Sequence, residues 1–92
     1  MEEPIDLPID GVLDLHTFLP KEIGTLINDY IETCLDANIL DIRIIHGKGK
    51  GILRNQVYAI LKKHPLVKSF AQAPPNAGGW GAVVARLEKN VA

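Results

Sequence analysis

The sequence predicts one α/β domain built as a two-layer sandwich, with two helices over one face of a mixed four-stranded sheet. Four β-type runs and two helical patterns follow one another in the order β-α-β-α-β-β. Right-handed crossovers make the first three strands of such an order parallel and place both helices on one side. The 92 residues, 47% of them hydrophobic, suffice for one core but not for two.

The beginning of the chain differs in composition from the rest. Residues 1–11 mix acids, prolines and single aliphatic side chains, which predicts an extended acidic arm before a folded domain over residues 12–92. This start lacks a positively charged, apolar secretion signal, and no apolar run reaches the ~20 residues of a membrane span. A single cysteine excludes an internal disulfide. We therefore expect a cytoplasmic protein without a membrane partner.

The first strand is predicted over Val12–His16. Its alternation puts Leu13 and Leu15 on one face and Asp14 and His16 on the other. A carboxylate and an imidazole two residues apart on one side of a strand are able to act together.

The first helix is predicted to begin near Pro20, which suits the first helical turn. Asn38 is a candidate left-handed end for this helix. Apolar side chains recur with helical spacing along it, at Ile23, Leu26, Ile27, Tyr30, Ile31, Cys34 and Leu35.

The second half of the chain supplies the remaining elements. Residues 73–81 contain too much proline and glycine for regular structure and predict an irregular loop. The other predicted elements are a strand over Ile42–Ile45, a helix from Ile52 to His64 that Pro65 ends, and strands over Leu66–Ala71 and Ala82–Leu87.

A glycine-rich turn follows the second strand directly. Glycines without Cβ atoms let backbone amides approach an anion, and the next helix adds the positive end of its dipole. His46, at the end of the strand, is the group here that exchanges a proton near neutral pH. The predicted phosphate contacts are Arg43, Gly47, Lys48, Gly49, Lys50, Gly51 and Arg54. The alternatives are a tight turn with solvated lysines and a site for a small phosphorylated metabolite.

Charge is distributed unevenly. Residues 1–41 have a net charge of −9 and residues 42–87 a net charge of +8. Asymmetry of this size indicates a nucleic-acid partner, and the alternative is that the two halves attract each other within the fold. In the irregular loop, the Gly79-Trp80-Gly81 segment offers a ring that either stacks on a base or anchors the loop.

Three ordered motifs resemble those of the Smr family, the small MutS-related domain. They are Leu13-Asp14-Leu15-His16, then His46-Gly47-Lys48-Gly49, and then Gly78-Gly79-Trp80-Gly81, within residues 12–88. The resemblance implies a fold similar to the carboxyl-terminal domain of translation initiation factor three. It also implies binding of DNA or RNA and, as in several members, endonuclease nicking. Thr17 and Val83 depart from the family pattern, which often has glycine and threonine there.

Carried onto this chain, the resemblance makes Asp14, His16 and His46 the expected catalytic or binding residues. His46 is then the general acid or base, and Asp14 orients His16 or helps to hold a metal. One aspartate is a poor magnesium site by itself. The sequence therefore requires no cofactor, although Mg²⁺ is compatible with it. The sequence does not indicate an oligomeric state. The alternative to a nuclease is a nucleic-acid or ribosome-binding module without catalysis.

Overall fold

The structure, a computed structural model, describes residues 9–89. The arm predicted over residues 1–11 therefore lies almost wholly outside the described residues. The strands and helices are β1 (Val12–Asp14), α1 (Ile23–Asp36), β2 (Asp41–Ile45), α2 (Ile52–Lys63), β3 (Val67–Gln72) and β4 (Ala82–Leu87).

The strands form one sheet in the order β1-β2-β4-β3. β1 and β2 are parallel, with Asp14 opposite Ile45, and β4 is antiparallel to both of its neighbours. The first three strands therefore point the same way, as predicted, and the mixed four-stranded sheet is confirmed. Because β4 runs the opposite way, it begins at the edge where β1 and β2 end, with Ala82 opposite Ile45.

Both helices pack on one face of this sheet and give the two layers that were predicted. The helix-facing side chains of the strands alternate with outward ones, so Ile42 and Ile44 are buried while Arg43 points to the other face. Cys34 is fully buried within this core. The largest fully buried side chains include Leu13, Leu15, Ile23, Ile27, Ile31, Ile44, Val57, Leu61, Val83 and Leu87.

Helix ends follow the local sequence. Asn38 adopts a left-handed conformation (φ +62°) after α1, as predicted. Before α1, a 3-10 turn covers Pro20–Glu22, and the Leu19 amide donates to the Glu22 carboxylate at 2.9 Å. α2 ends at Lys63, close to the proline that stops it.

The prediction of an irregular loop over residues 73–81 was wrong in part. Two 3-10 turns occupy it, Pro75–Ala77 and Gly79–Gly81. Proline fixes φ at the start of the first turn, and Gly78, at φ +113°, separates the two. Within residues 9–89, neither helix has the length and apolar character needed to cross a membrane.

Candidate functional site

Three segments meet at the edge of the sheet where β1 and β2 end and β4 begins. Asp14 and His16 come from the end of β1, and His46 and the glycine turn follow β2. The Gly79–Gly81 turn leads into β4 at the same edge. The two histidines therefore lie at one edge, as predicted, and the antiparallel direction of β4 adds the third segment.

His46 is a buried polar side chain, 6% exposed. Its Nδ1 lies 2.9 Å from the Gly47 carbonyl oxygen, which accepts only, so Nδ1 carries the proton of the neutral ring. Nε2 then holds a lone pair, and it has no hydrogen-bond partner among the described residues. Burial lowers the pKa of His46, and the nearby Arg54 charge lowers it further. His46 is therefore a neutral acceptor at pH 7.

Trp80 and Arg54 pack beside this imidazole. The Trp80 ring meets His46 edge to face, with ring centres 6.0 Å apart. The Arg54 guanidinium lies 5.1 Å from the Trp80 ring centre and 4.4 Å from that of Tyr58. Trp80 thus contacts the protein's own groups, which favours the loop-anchor interpretation, while 36% of it stays exposed. Tyr58 was missed in the sequence, although its i+4 spacing from Arg54 on α2 could have shown it.

The Gly79–Gly81 turn supports the glycine turn through its backbone. The Gly81 carbonyl accepts hydrogen bonds from the amides of His46 and Gly47, each at 2.9 Å. A Cβ at Gly81 would lie 3.0 Å from Lys48 Cγ and 3.3 Å from the Gly47 carbonyl carbon. A larger residue at this position would require the Lys48 side chain and the Gly47 backbone to move by a few tenths of an ångström.

Asp14 and His16 form an exposed pair. Asp14 Oδ1 accepts hydrogen bonds from His16 Nδ1 at 2.9 Å and from the His16 amide at 3.0 Å. The hydrogen bond from the His16 side chain holds the pKa of Asp14 below its usual range, so Asp14 is ionised at pH 7. The side chains are 49% and 75% exposed, respectively. This geometry suits an imidazole that a carboxylate orients.

A cavity of about 320 Å³ lies between the glycine turn and the connection from β1 to α1. It brings together six of the sequence-predicted residues, which are His46, Gly47, Gly49, Lys50, Gly51 and Arg54. Phe18 and Gln56 also line it, and no sequence motif pointed to them, because folding alone brings residue 18 to α2.

The other predicted contacts lie outside the cavity. Arg43 is on the opposite face of the sheet, where its Nη1 donates to the Ala77 carbonyl at 3.1 Å and it lines a separate hollow of about 420 Å³. Lys48 flanks Gly81 at the outer side of the turn. Asp14, His16 and the Gly79-Trp80-Gly81 segment share the sheet edge but do not line the cavity.

The donor set is a poor match for a resident metal ion. Within residues 9–89, no three His, Cys, Asp or Glu side chains group as metal ligands would. Asp14 contributes one carboxylate, and its Oδ1 is engaged by His16. These residues do not fit a resident divalent cation.

The chain is similar in sequence to a known domain family and to proteins of known name. The Smr domain family matches residues 13–88. Endonuclease MutS2 of Lactococcus lactis subsp. cremoris strain MG1363 is 42% identical over 80 residues, which are 87% of this chain and 10% of the relative. Ribosome rescue factor SmrB of Shewanella baltica strain OS155 is 37% identical over 83 residues, 90% of this chain and 47% of the relative. The chain thus spans about a tenth and about half of these relatives.

Solved structures share the fold. The Smr domain of Thermus thermophilus MutS2 superposes with a TM-score of 0.80 at 32% identity, covering 85% of this chain and 98% of that one. YdaL, a stand-alone small MutS-related protein from Escherichia coli, gives 0.81 at 28% identity over 89% of this chain and 67% of that one. Because the Smr domain family matches residues 13–88, most of its length, this chain belongs to that family.

Proposed function

We propose that the domain binds the sugar-phosphate backbone of a nucleic acid at the glycine turn and cleaves a phosphodiester with His46 as the proton acceptor. The observation that carries this proposal is His46, a buried residue that lines the cavity at the start of α2 and whose Nε2 has no hydrogen-bond partner among the described residues. The endonuclease and ribosome rescue names of the relatives support a nucleic-acid target.

The start of α2 is suited to a phosphate. Gly51 occupies the N-cap position at φ +88°, no side chain caps the helix, and its first turn contains no acid. The Asn55 amide donates to the Gly51 carbonyl at 2.8 Å as the first bond of the helix, so the preceding amides are available to an anion. Lys48, Lys50 and Arg54 add positive charge that would stabilise the developing phosphorane.

The proton transfers follow from the two imidazoles. A water molecule, or the 2′-hydroxyl in RNA, attacks phosphorus while His46 Nε2 takes its proton. The bond from phosphorus to the leaving oxygen breaks, and that oxygen takes a proton from Nε2 of His16 in its imidazolium form, whose Nδ1–H stays hydrogen-bonded to Asp14. Because the carboxylates do not fit a resident cation, no step here passes through Mg²⁺.

A cleavage assay on supercoiled plasmid and on structured RNA tests this proposal, with Mg²⁺, Mn²⁺ and chelator in parallel. His46→Gln should lower the rate at least about 100-fold, the size of a general-base contribution, while binding stays within a few fold. His64→Asn is the matched control, since His64 lies past the other end of α2 and its side chain accepts a hydrogen bond from the Leu66 amide. Cleavage that survives both His46→Gln and Asp14→Asn would come from a contaminant and would end the catalytic proposal.

A second candidate function is nucleic-acid binding without cleavage. The burial of His46 favours it, because a ring with 6% exposure offers a scissile phosphate little direct access. In that case Nε2 is only a hydrogen-bond acceptor for the bound strand. Binding of both polymers without cleavage under all three metal conditions would select this function.

A further inference from the structure

The cavity at the start of α2 has walls that phosphate binding does not need. Apolar side chains line it on two sides, Phe18 and Pro20 from the connection before α1 and Ile52 and Leu53 from α2. Ile52 is 73% exposed, so it presents its apolar side chain at the mouth of the cavity. At about 320 Å³, the cavity is at the small end of the range of ligand pockets.

Unsatisfied polar atoms fall in the same place. Two buried side-chain nitrogens of the described residues lack a hydrogen-bond partner, His46 Nε2 and Arg54 Nε. Both residues line this cavity. Buried polar groups are paired in nearly all folded proteins, so these two nitrogens are available to a bound group or water if the side chains shift to expose them. One is an acceptor and the other a donor.

We propose that this cavity receives the base of one unstacked nucleotide from a strand whose phosphate lies at the glycine turn; this inference rests on the proposed function and names its substrate class. The apolar walls take the base, with the Phe18 ring as the aromatic surface beside it. Lys50 and the uncapped start of α2 are left for the phosphate of the same nucleotide.

The preferred substrate is therefore a single-stranded or locally unpaired segment. In a duplex each base is stacked and paired, and bringing one into a cavity costs unstacking and unpairing. An unpaired nucleotide does not incur this cost. Lys50 and Arg54 on the rim serve any backbone, whereas the apolar walls contribute only when a base enters.

Binding of fluorescent oligonucleotides of about twelve nucleotides, a length in the usual range of single-strand sites, tests this inference. Three DNA probes share one length: a single strand, a duplex, and an abasic strand with the same phosphates but no bases. Single-stranded and duplex RNA of that length are measured in parallel. We expect the single strand to bind about tenfold more tightly than the abasic strand and the duplex. A 2-aminopurine in the strand should change its fluorescence on binding.

Ile52→Ser removes one apolar side chain from the cavity wall. Because this position is exposed, the substitution should have little effect on folding. It should reduce the preference for the single strand over the abasic strand about fivefold, with the salt dependence of binding unchanged, because the phosphate contacts remain. Leu19→Ser is the matched control, since Leu19 is also exposed, at 55%, and does not line the cavity. Thermal unfolding checks that both variants are folded.

The outcomes separate the inference from the proposed function. If no probe binds, the proposed function fails and the inference fails with it. If the abasic strand and the duplex bind as tightly as the single strand, or if Ile52→Ser acts no differently from Leu19→Ser, the base site is excluded while backbone binding stands.

Discussion

At the scale of single residues, His46 links the site to the stability of the domain. Its folded pKa lies below the ordinary value of 6.5, so below that pH the unfolded chain binds more protons than the folded one. The free energy of unfolding should therefore rise with pH as the pH approaches 6.5 from below and level off above that pH. Urea unfolding at several pH values measures this.

His46→Gln provides the comparison for that measurement. In this variant, the increase of unfolding free energy with pH that is due to His46 should disappear. Asp14 also makes the protein more stable as the pH rises, but only below about pH 4, where aspartate titrates. An unchanged slope just below pH 6.5 in the variant would mean that the surroundings of His46 do not lower its pKa.

The Asp14–His16 pair predicts an effect on activity that is separate from stability. Asp14→Asn keeps an oxygen for the His16 amide but removes the charge that orients the ring. Because exposed ion pairs contribute only about 0–1 kcal/mol, thermal unfolding should change little, while cleavage should fall at least about tenfold. A cleavage rate equal to that of the unmodified protein would remove the pair from the mechanism.

At the scale of elements, the turn before β4 is a support for the turn after β2. Gly81→Ala should displace the Lys48 side chain and the Gly47 backbone, which lie 3.0 and 3.3 Å from the added carbon, and should weaken nucleic-acid binding. Gly24→Ala is the control, because nothing lies within 4 Å of its added carbon in α1. It should raise the free energy of unfolding by about 0.5 kcal/mol without affecting binding. Equal binding by both variants would contradict the supporting role.

Most elements were predictable from local patterns. The bounds of β4, Ala82–Leu87, and the left-handed Asn38 agree with the sequence, because alternation and capping are local signals. The position of β4 between β2 and β3 was not predictable, since pairing partners depend on contacts between distant residues. That position brings the third motif to the site.

The candidate site was predictable to a similar extent. The glycines and lysines of the turn after β2 are neighbours in the sequence, so the turn could be predicted from them directly. The packing of Trp80 on Arg54 and the approach of Phe18 to α2 join segments far apart in sequence, and no periodicity encodes them. For the same reason Arg43, grouped with the turn by sequence proximity, proved to lie on the other face of the sheet.

At the scale of the whole molecule, the described residues of the two oppositely charged halves share little pairing. Between the acidic and the basic half, residues 9–89 form one ion pair, Arg86 with Asp41 at 2.7 Å. Among these residues, ion pairing between the halves therefore engages one basic side chain of the eight in residues 42–87. Arg43 and Arg54 contact other groups of the protein, and the lysines of this half form no ion pair within residues 9–89.

The salt dependence of binding should locate those charges. Lys48→Ala with Lys50→Ala should flatten the plot of log affinity against log salt by about 1.4 for a single strand, because two phosphate contacts are lost. Lys62→Ala with Lys63→Ala makes the same charge change at the other end of α2 and should leave the slope nearly unchanged. Equal effects of the two pairs would show that only net charge matters.

The proposed function places bound nucleic acid at the start of α2 beside His46. Amide NMR spectra recorded during titration with a single-stranded oligonucleotide would show which residues the strand contacts. The largest shifts should fall on residues 46–54, with the resonances of the His46 ring moving at the same oligonucleotide concentration. Shifts confined to the opposite face of the sheet, around Arg43 and Arg86, would contradict the claim.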